Sequence, residues 1–240
     1  MHRSSLLPVV MLIGVALGGC VHHAESSLLS EDFEPATKPV PAALIYGDLW
    51  NPNGGTRVYL REARDESESA IHEHAGPNPE NNAFAMARDL VRREGPPIPM
   101  SVRWLSVESG SVVLLRTQNL ERGIELVFDP PLILCPTTLA SQHTSSTNVR
   151  EVESGKTGRA DWILELLGER ILPTGDTELL LRSILEIRLG SSTVRRRTDR
   201  IIQNTNSGSG EPLHEETWET VSVFGFTVSS KSERLRARPD

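Results

Sequence analysis

The sequence predicts a mainly β protein: one curved antiparallel sheet (an open half-barrel) or a β-sandwich, with one short helix near residues 79–94. Three observations predict it. Apolar, β-branched runs recur roughly every ten to fifteen residues, with Gly, Ser and Pro between them. From Met100 onward these runs follow one another without an intervening helical pattern, which favours an antiparallel meander. Leu181, Ser183, Leu185, Ile187 and Leu189 alternate with Arg182, Glu186 and Arg188, so one face of that segment is dry and the other wet.

The elements follow in order. Leu44 to Trp50 reads as a first strand, Asn51-Pro52-Asn53-Gly54-Gly55 as a turn, and Thr56 to Arg61 as the returning arm of a hairpin. Residues 62–82 are acidic, polar and broken by Gly76, Pro77 and Pro79, which predicts a surface loop. Asn78-Pro79-Glu80 can start a helix with Phe84, Ala87 and Val91 on one face, stopped by Gly95-Pro96-Pro97. Val102 to Val107 and Val112 to Thr117 flank the turn Glu108-Ser109-Gly110-Ser111. Ile124 to Phe128 is a strand ended by Asp129-Pro130-Pro131. Strands are then expected at Asn148–Glu153, Ala160–Leu167, Leu179–Leu189 and Thr193–Ile202. One long last strand is expected from Thr217 to Ser229, followed by an Arg-rich tail.

The N-terminus reads as a secretory signal. Arg3 supplies positive charge, and Leu6 to Leu17 is apolar but too short to cross a bilayer as a helix. Leu17-Gly18-Gly19-Cys20 resembles the bacterial lipobox: an aliphatic residue, two small ones, then cysteine. The resemblance implies processing before Cys20 and acylation of its sulfur, with the membrane as partner through that lipid. Two or three chains suffice for stable anchoring, since each buried methylene contributes about 0.8 kcal/mol. Val21 rather than Asp follows the cysteine, which implies transfer to the outer membrane. The expected organisation is a signal peptide at 1–19, a lipidated Cys20 with a flexible tether to residue 42, one β-rich domain at 43–235 and a tail at 236–240. A tether of that length reaches roughly 25 Å by coil statistics.

Net charge is -7, which argues against nucleic acid as a partner. Aromatic residues make up only 5% of the chain, too few for the girdles of a lipid-spanning barrel. Of the two cysteines, Cys135 sits in Leu132-Ile133-Leu134-Cys135-Pro136 and reads as a buried small apolar residue.

The chain carries, in order, Leu49 to Gly55, Phe128-Asp129-Pro130-Pro131-Leu132, Glu216-Thr217-Trp218 and Phe224-Gly225-Phe226. In this layout it resembles bacterial envelope β domains of the TapB-like kind, and more distantly the LolA/LolB-type lipoprotein carriers. The resemblance implies a highly curved antiparallel sheet, unclosed, with an apolar inside.

Motifs for chemistry are sparse. Gly155-Lys156-Thr157 lacks the glycine that a phosphate loop requires at position 150, which is Arg150. His72-Glu73-His74 puts two histidines on one strand face, but zinc needs a third or fourth ligand. No spacing recommends Glu66, Glu68, His143 or His214, so no metal site is expected, and His22-His23 is weaker still. Ser207-Gly208-Ser209-Gly210 is not a nucleophile elbow, and no context links His143 or His214 to a triad. Glu215-Glu216 reads as a solvated face. Arg195-Arg196-Arg197 with Arg200 reads as an edge strand guarded by charge, with Arg196, Thr198 and Arg200 on one face. The alternative for that run is attraction to anionic lipid or glycan. No catalytic residue and no cofactor is expected. The expected role is a non-catalytic, membrane-tethered interaction or assembly module of the cell envelope. The alternatives are a binder of an apolar ligand such as a lipid and an envelope hydrolase. An open cavity inside the sheet favours a ligand and a filled core favours an interaction role.

Overall fold

The structure is a computed structural model that describes residues 26–30, 32–47, 55–61, 69–77, 83–92, 94–204 and 210–238. The expected signal peptide, Cys20, His22-His23, the Asn51–Gly54 turn and Ser207-Gly208-Ser209 lie outside the described residues.

In chain order the strands are β1 (Val40–Pro41), β2 (Gly55–Arg61), β3 (Ala70–Pro77), β4 (Phe84–Val91), β5 (Ile98–Glu108), β6 (Ser111–Asn119) and β7 (Ile124–Cys135). They continue as β8 (Thr138–Leu139), β9 (Gln142–Glu151), β10 (Thr157–Ile171), β11 (Thr177–Leu189), β12 (Ser192–Asn204), β13 (Gly210–Val223) and β14 (Phe226–Ala237). A single turn of helix, α1, spans Ala42–Ile45. All but β1 and β8 join one sheet, which closes into a twelve-stranded barrel in the order β10-β11-β12-β13-β14-β2-β3-β4-β5-β6-β7-β9. Every pairing is antiparallel, as the meander expectation required.

The sheet is therefore neither an open half-barrel nor a sandwich. Closure is made by the C-terminus: Leu235, Arg236 and Ala237 pair with Arg61, Leu60 and Tyr59. Residues 236 and 237, expected in a tail, complete the barrel. The expected final strand is two strands, because Phe224 and Gly225 both take positive φ (51° and 83°) and reverse the chain in a two-residue turn. Phe-Gly is not among the usual Asn-Gly or Asp-Gly signals, so alternation appeared to run through it.

Three further expectations change. The helix near 79–94 is replaced by β4, and the expected surface loop contains β3. Leu44, expected to open a strand, lies in α1. Pro130 and Pro131 do not end β7, which continues to Cys135. They sit where pairing with β6 lapses between Val127 and Leu132, so the missing N–H groups break no ladder on that side.

Described residues of the expected tether are docked. Leu28 packs against Leu180 and Ile201 on the outer wall, and Glu34 bridges Glu169. β1 pairs with β8, the Ala42 N–H donates to the Thr137 carbonyl at 3.0 Å, and α1 follows directly. Ala42 and Ile45 are buried in the main core with Leu105, Val112, Leu132, Leu134 and Leu139. The N-terminal segment thus plugs the barrel at the end where β7 finishes.

The outward faces of β10–β12 are charged. Asp161 pairs with Arg159 (2.9 Å) and Arg188 (2.8 Å), and fully buried Asp199 is held by Arg182 (2.8 Å) and Arg197 (3.2 Å). Such a wall is the reverse of an apolar lipid-facing band.

At Gly158 the backbone of β11 comes close to β10: a Cβ there would stand 1.8 Å from the Arg188 carbonyl oxygen. Gly158→Ala is expected to cost about 3 kcal/mol or more, as β10 must part from β11. Urea unfolding followed by circular dichroism measures it, with Gly76→Ala, where a Cβ meets nothing within 4 Å, as the uncrowded control.

Candidate functional site

Eight strands make a barrel whose own side chains fill it; twelve make a wider one. Here the extra width leaves a cavity of about 600 Å³ inside the wall. Its floor is Ile45 and Tyr46, carried in by α1, and its rim at the other end includes Asn119, Arg122, Lys156 and Ser192.

The wall is two-sided in chemistry. Leu105 (β5), Leu114 (β6), Leu126 (β7), Trp162 (β10), Leu185 and Ile187 (β11) give an apolar side. The wet-and-dry alternation of β11 was legible in the sequence, and its dry face is this wall. Trp162 is fixed by donating Nε1–H to the Leu134 carbonyl at 2.7 Å. The opposite side carries Arg57 and Tyr59 (β2), Glu73 (β3), Arg88 (β4), Arg196 and Arg200 (β12), and Glu215 and Glu219 (β13).

A buried ion network organises the charged side. Arg88 donates Nε–H to Glu73 at 2.7 Å and grips Glu215 with both terminal nitrogens at 2.9 and 3.0 Å. Arg200 donates to the same Glu215 at 2.6 Å, and the Tyr59 hydroxyl lies 3.5 Å from Glu73. Burial pushes the Glu215 carboxyl up, but Arg88 and Arg200 outweigh it and hold it well below the usual carboxylate range. Glu73 is also lowered: burial opposes ionisation, and Arg88 followed by Arg103 overcomes it. Arg88 is held well above its ordinary value by Glu215 and Glu73, against the opposing effect of burial. Register explains the assembly. Glu73 faces Arg88 across β3 and β4, and Arg200 faces Glu215 across β12 and β13.

Arg103 (β5) stands apart. Its cross-strand neighbours are Met86 and Thr117, and it makes no ion pair or hydrogen bond among the described residues. Burial, reinforced by repulsion from Arg88, brings its pKa down to about 10. The cavity lining holds seven basic side chains and four carboxylates, inside a chain whose net charge is -7. The excess positive charge is therefore concentrated inside the barrel.

The residues singled out in the sequence fall as follows. Arg196 and Arg200, expected on a solvated edge, line the cavity, while Arg195, Arg197 and Asp199 lie on the opposite face of β12. Glu215 and Glu216, expected on a solvated face, are both buried: Glu215 inside the barrel, Glu216 held by Ser26 (2.9 Å) and Arg234 (3.1 Å). A closed barrel has no edge for charge to guard, and side-chain alternation then points every second residue of β12 inward.

His72 and His74 lie with ring centroids 6.2 Å apart, on the face opposite buried Glu73. His74 Nδ1 is 3.1 Å from the Thr56 hydroxyl and Nε2 is 3.3 Å from Asp89. No group of three or more potential metal ligands occurs among the described residues. The Thr56–His74–Asp89 line runs outside the cavity, with His74 45% exposed, whereas a triad acts beside preorganised oxyanion donors. His143 Nε2 is 3.2 Å from the Ile133 carbonyl, and among the described residues neither it nor His214 hydrogen-bonds a serine or carboxylate. Cys135 is buried, and burial pushes its thiol up to about 12, so it is an inert core residue. Lys156 is at the cavity rim.

Comparison with protein families, characterised proteins and solved structures finds no match to this chain. The geometry of the cavity is what speaks to function.

Arg88→Met would leave Glu73 and Glu215 buried with too little positive charge. The expected cost near pH 7 is about 3–5 kcal/mol. In the unaltered protein the lowered carboxylates stabilise the fold above their unfolded pKa, and that contribution is lost as pH falls through the folded values. In the variant these carboxyls ionise less readily, so the stability gap narrows on acidification from pH 7 towards 5. Urea titrations at several pH values measure both effects.

Proposed function

We propose that this chain is a lipid-anchored protein of the bacterial cell envelope whose barrel binds one amphipathic small molecule in its interior, without catalysis. The observation that carries the binding role is the cavity of about 600 Å³ with one apolar and one charged side. That volume lies within the usual range of small-ligand sites, about 300–1,000 Å³. An apolar chain lying on Leu105, Leu114, Leu126 and Leu185 gains about 0.8 kcal/mol per buried methylene. The charged outer wall of β10–β12 supports a body that stands in water while its ligand is shielded inside.

The anchor rests on Leu17-Gly18-Gly19-Cys20. If Cys20 carries the lipid, only the five residues 21–25 separate it from Ser26 on the barrel wall. The body would then lie close to the bilayer, where amphiphiles are found.

An interaction or assembly role is the second reading, and one observation favours it. The β13–β14 hairpin exposes Phe224 (78%), Phe226 (77%) and Val228 (62%), and among the described residues β14 pairs with β2 through Leu235, Arg236 and Ala237. Exposed apolar side chains clustered on one hairpin suit contact with another protein.

Two measurements test the proposal. The intact mass of the protein extracted from membranes is expected to include acyl chains on Cys20; an unmodified Cys20 would remove the anchor. In native mass spectrometry the mature protein is expected to carry one amphiphile per chain. Leu185→Trp, which fills the apolar side from a half-buried position, should lower occupancy at least tenfold while shifting Tm by only a few degrees. A ligand-free spectrum after incubation with acyl amphiphiles would count against the binding role.

A further inference from the structure

We propose that Arg103 is the receptor for the ligand's head group, and that the ligand is a single-chain amphiphile ending in an oxyanion, a carboxylate or a phosphate monoester. This rests on the cavity being a ligand site, as proposed above, and adds the class of ligand and the residue that selects it.

The arginines of the cavity are not equivalent. Arg88 holds two carboxylates, and Arg200 shares one of them. Arg122 and Arg196 both approach Glu219, at 3.2 and 3.4 Å. Arg103 has no such partner among the described residues, and the strands on either side of it present Met86 and Thr117. The carboxylates close enough to affect its charge, Glu73 and Glu215, are already gripped by Arg88 and Arg200. An uncompensated guanidinium inside a protein is costly unless an anion or water reaches it.

A second donor on this wall also lacks an acceptor: Arg200 Nε is buried without a hydrogen-bond partner, whereas Arg196 Nε reaches Glu219 Oε2 only as an ion-pair contact at 3.4 Å. The Tyr46 hydroxyl, on the cavity floor and within the fields of Arg200 and Arg103, has no acceptor among the described residues. What this group lacks is a negatively charged acceptor, and a planar guanidinium fork matches the two oxygens of a carboxylate or phosphate. Leu105 follows Arg103 on the same face of β5, and Leu114 and Leu126 continue the apolar side. An anionic head on Arg103 therefore leaves its chain on hydrocarbon. A cationic head would meet the same guanidinium with repulsion, and a neutral alcohol would leave the charge uncompensated.

The test uses the chain from Val21 onward, which keeps every described residue, and calorimetric titration with palmitate, hexadecyl phosphate, hexadecanol and inorganic phosphate. Palmitate or hexadecyl phosphate should bind at least tenfold tighter than hexadecanol. Arg103→Met should erase that preference by weakening palmitate and hexadecyl phosphate at least tenfold without weakening hexadecanol, and its Tm should shift by only a few degrees, because no hydrogen-bonded partner is orphaned. Equal affinity for anion and alcohol, or a preference that survives Arg103→Met, overturns the inference while leaving an amphiphile site in place. Failure of all three chain-bearing probes overturns the proposed binding function itself. Inorganic phosphate binding as tightly as hexadecyl phosphate overturns the amphiphile and leaves a plain anion site. Should Arg103→Met fold poorly, Arg103→Gln takes its place under the same criteria.

Discussion

One arginine gripping two carboxylates inside the wall is the contact on which the rest depends. Arg88 joins β3, β4 and β13, strands far apart in sequence, and Arg200 brings in β12. A pair of charges in a dry interior returns little net stability, because desolvation offsets attraction. Its effect is geometric. Polar side chains that would otherwise force this half of the sheet to face water are satisfied inward, so the barrel can close with charge inside it.

Closure then creates the site. Twelve strands set a circumference that side chains cannot fill throughout. The main core and α1 occupy one end, and the remaining space is bounded by hydrocarbon on β5–β7, β10 and β11 and by charge on β2–β4, β12 and β13. Fold and site share one cause: the strands that hold the ion network are also the polar side of the cavity. Among the described residues Arg103 lies between the two sides without a carboxylate of its own, and so is a place where a ligand's charge is of use.

Individual residues show how far the sequence could be read. Leu181 to Leu189 revealed their strand and its dry face, because hydrocarbon alternating with charge is a local signal. β3 and β4 were missed for the opposite reason. Glu73 and Arg88 point inward, so alternation of apolar and polar residues is broken just where a strand carries a buried charge. Ala, Met and Arg in β4 also favour helix by intrinsic propensity, which cross-strand pairing overrode. Arg196, Arg200 and Glu215 were noticed but placed on solvated faces, since a charge run on its own is most often wet.

What the chain determined alone is whatever depends on neighbours a few residues away: β-rich character, antiparallel order, the alternation of β11, inert Cys135 within its apolar run, and the lipobox-like segment at Cys20. What only the tertiary structure decided is which side of each strand faces in, that residues 235–237 meet 59–61 to shut the sheet, and that arginines from several strands surround an unfilled space. The division is physical. Alternation says that a strand has two faces, but the inside of a barrel exists only after its first and last strands have paired. A buried charge is tolerable only beside a partner, and the grip of Arg88 on Glu215 joins residues 127 apart in the chain.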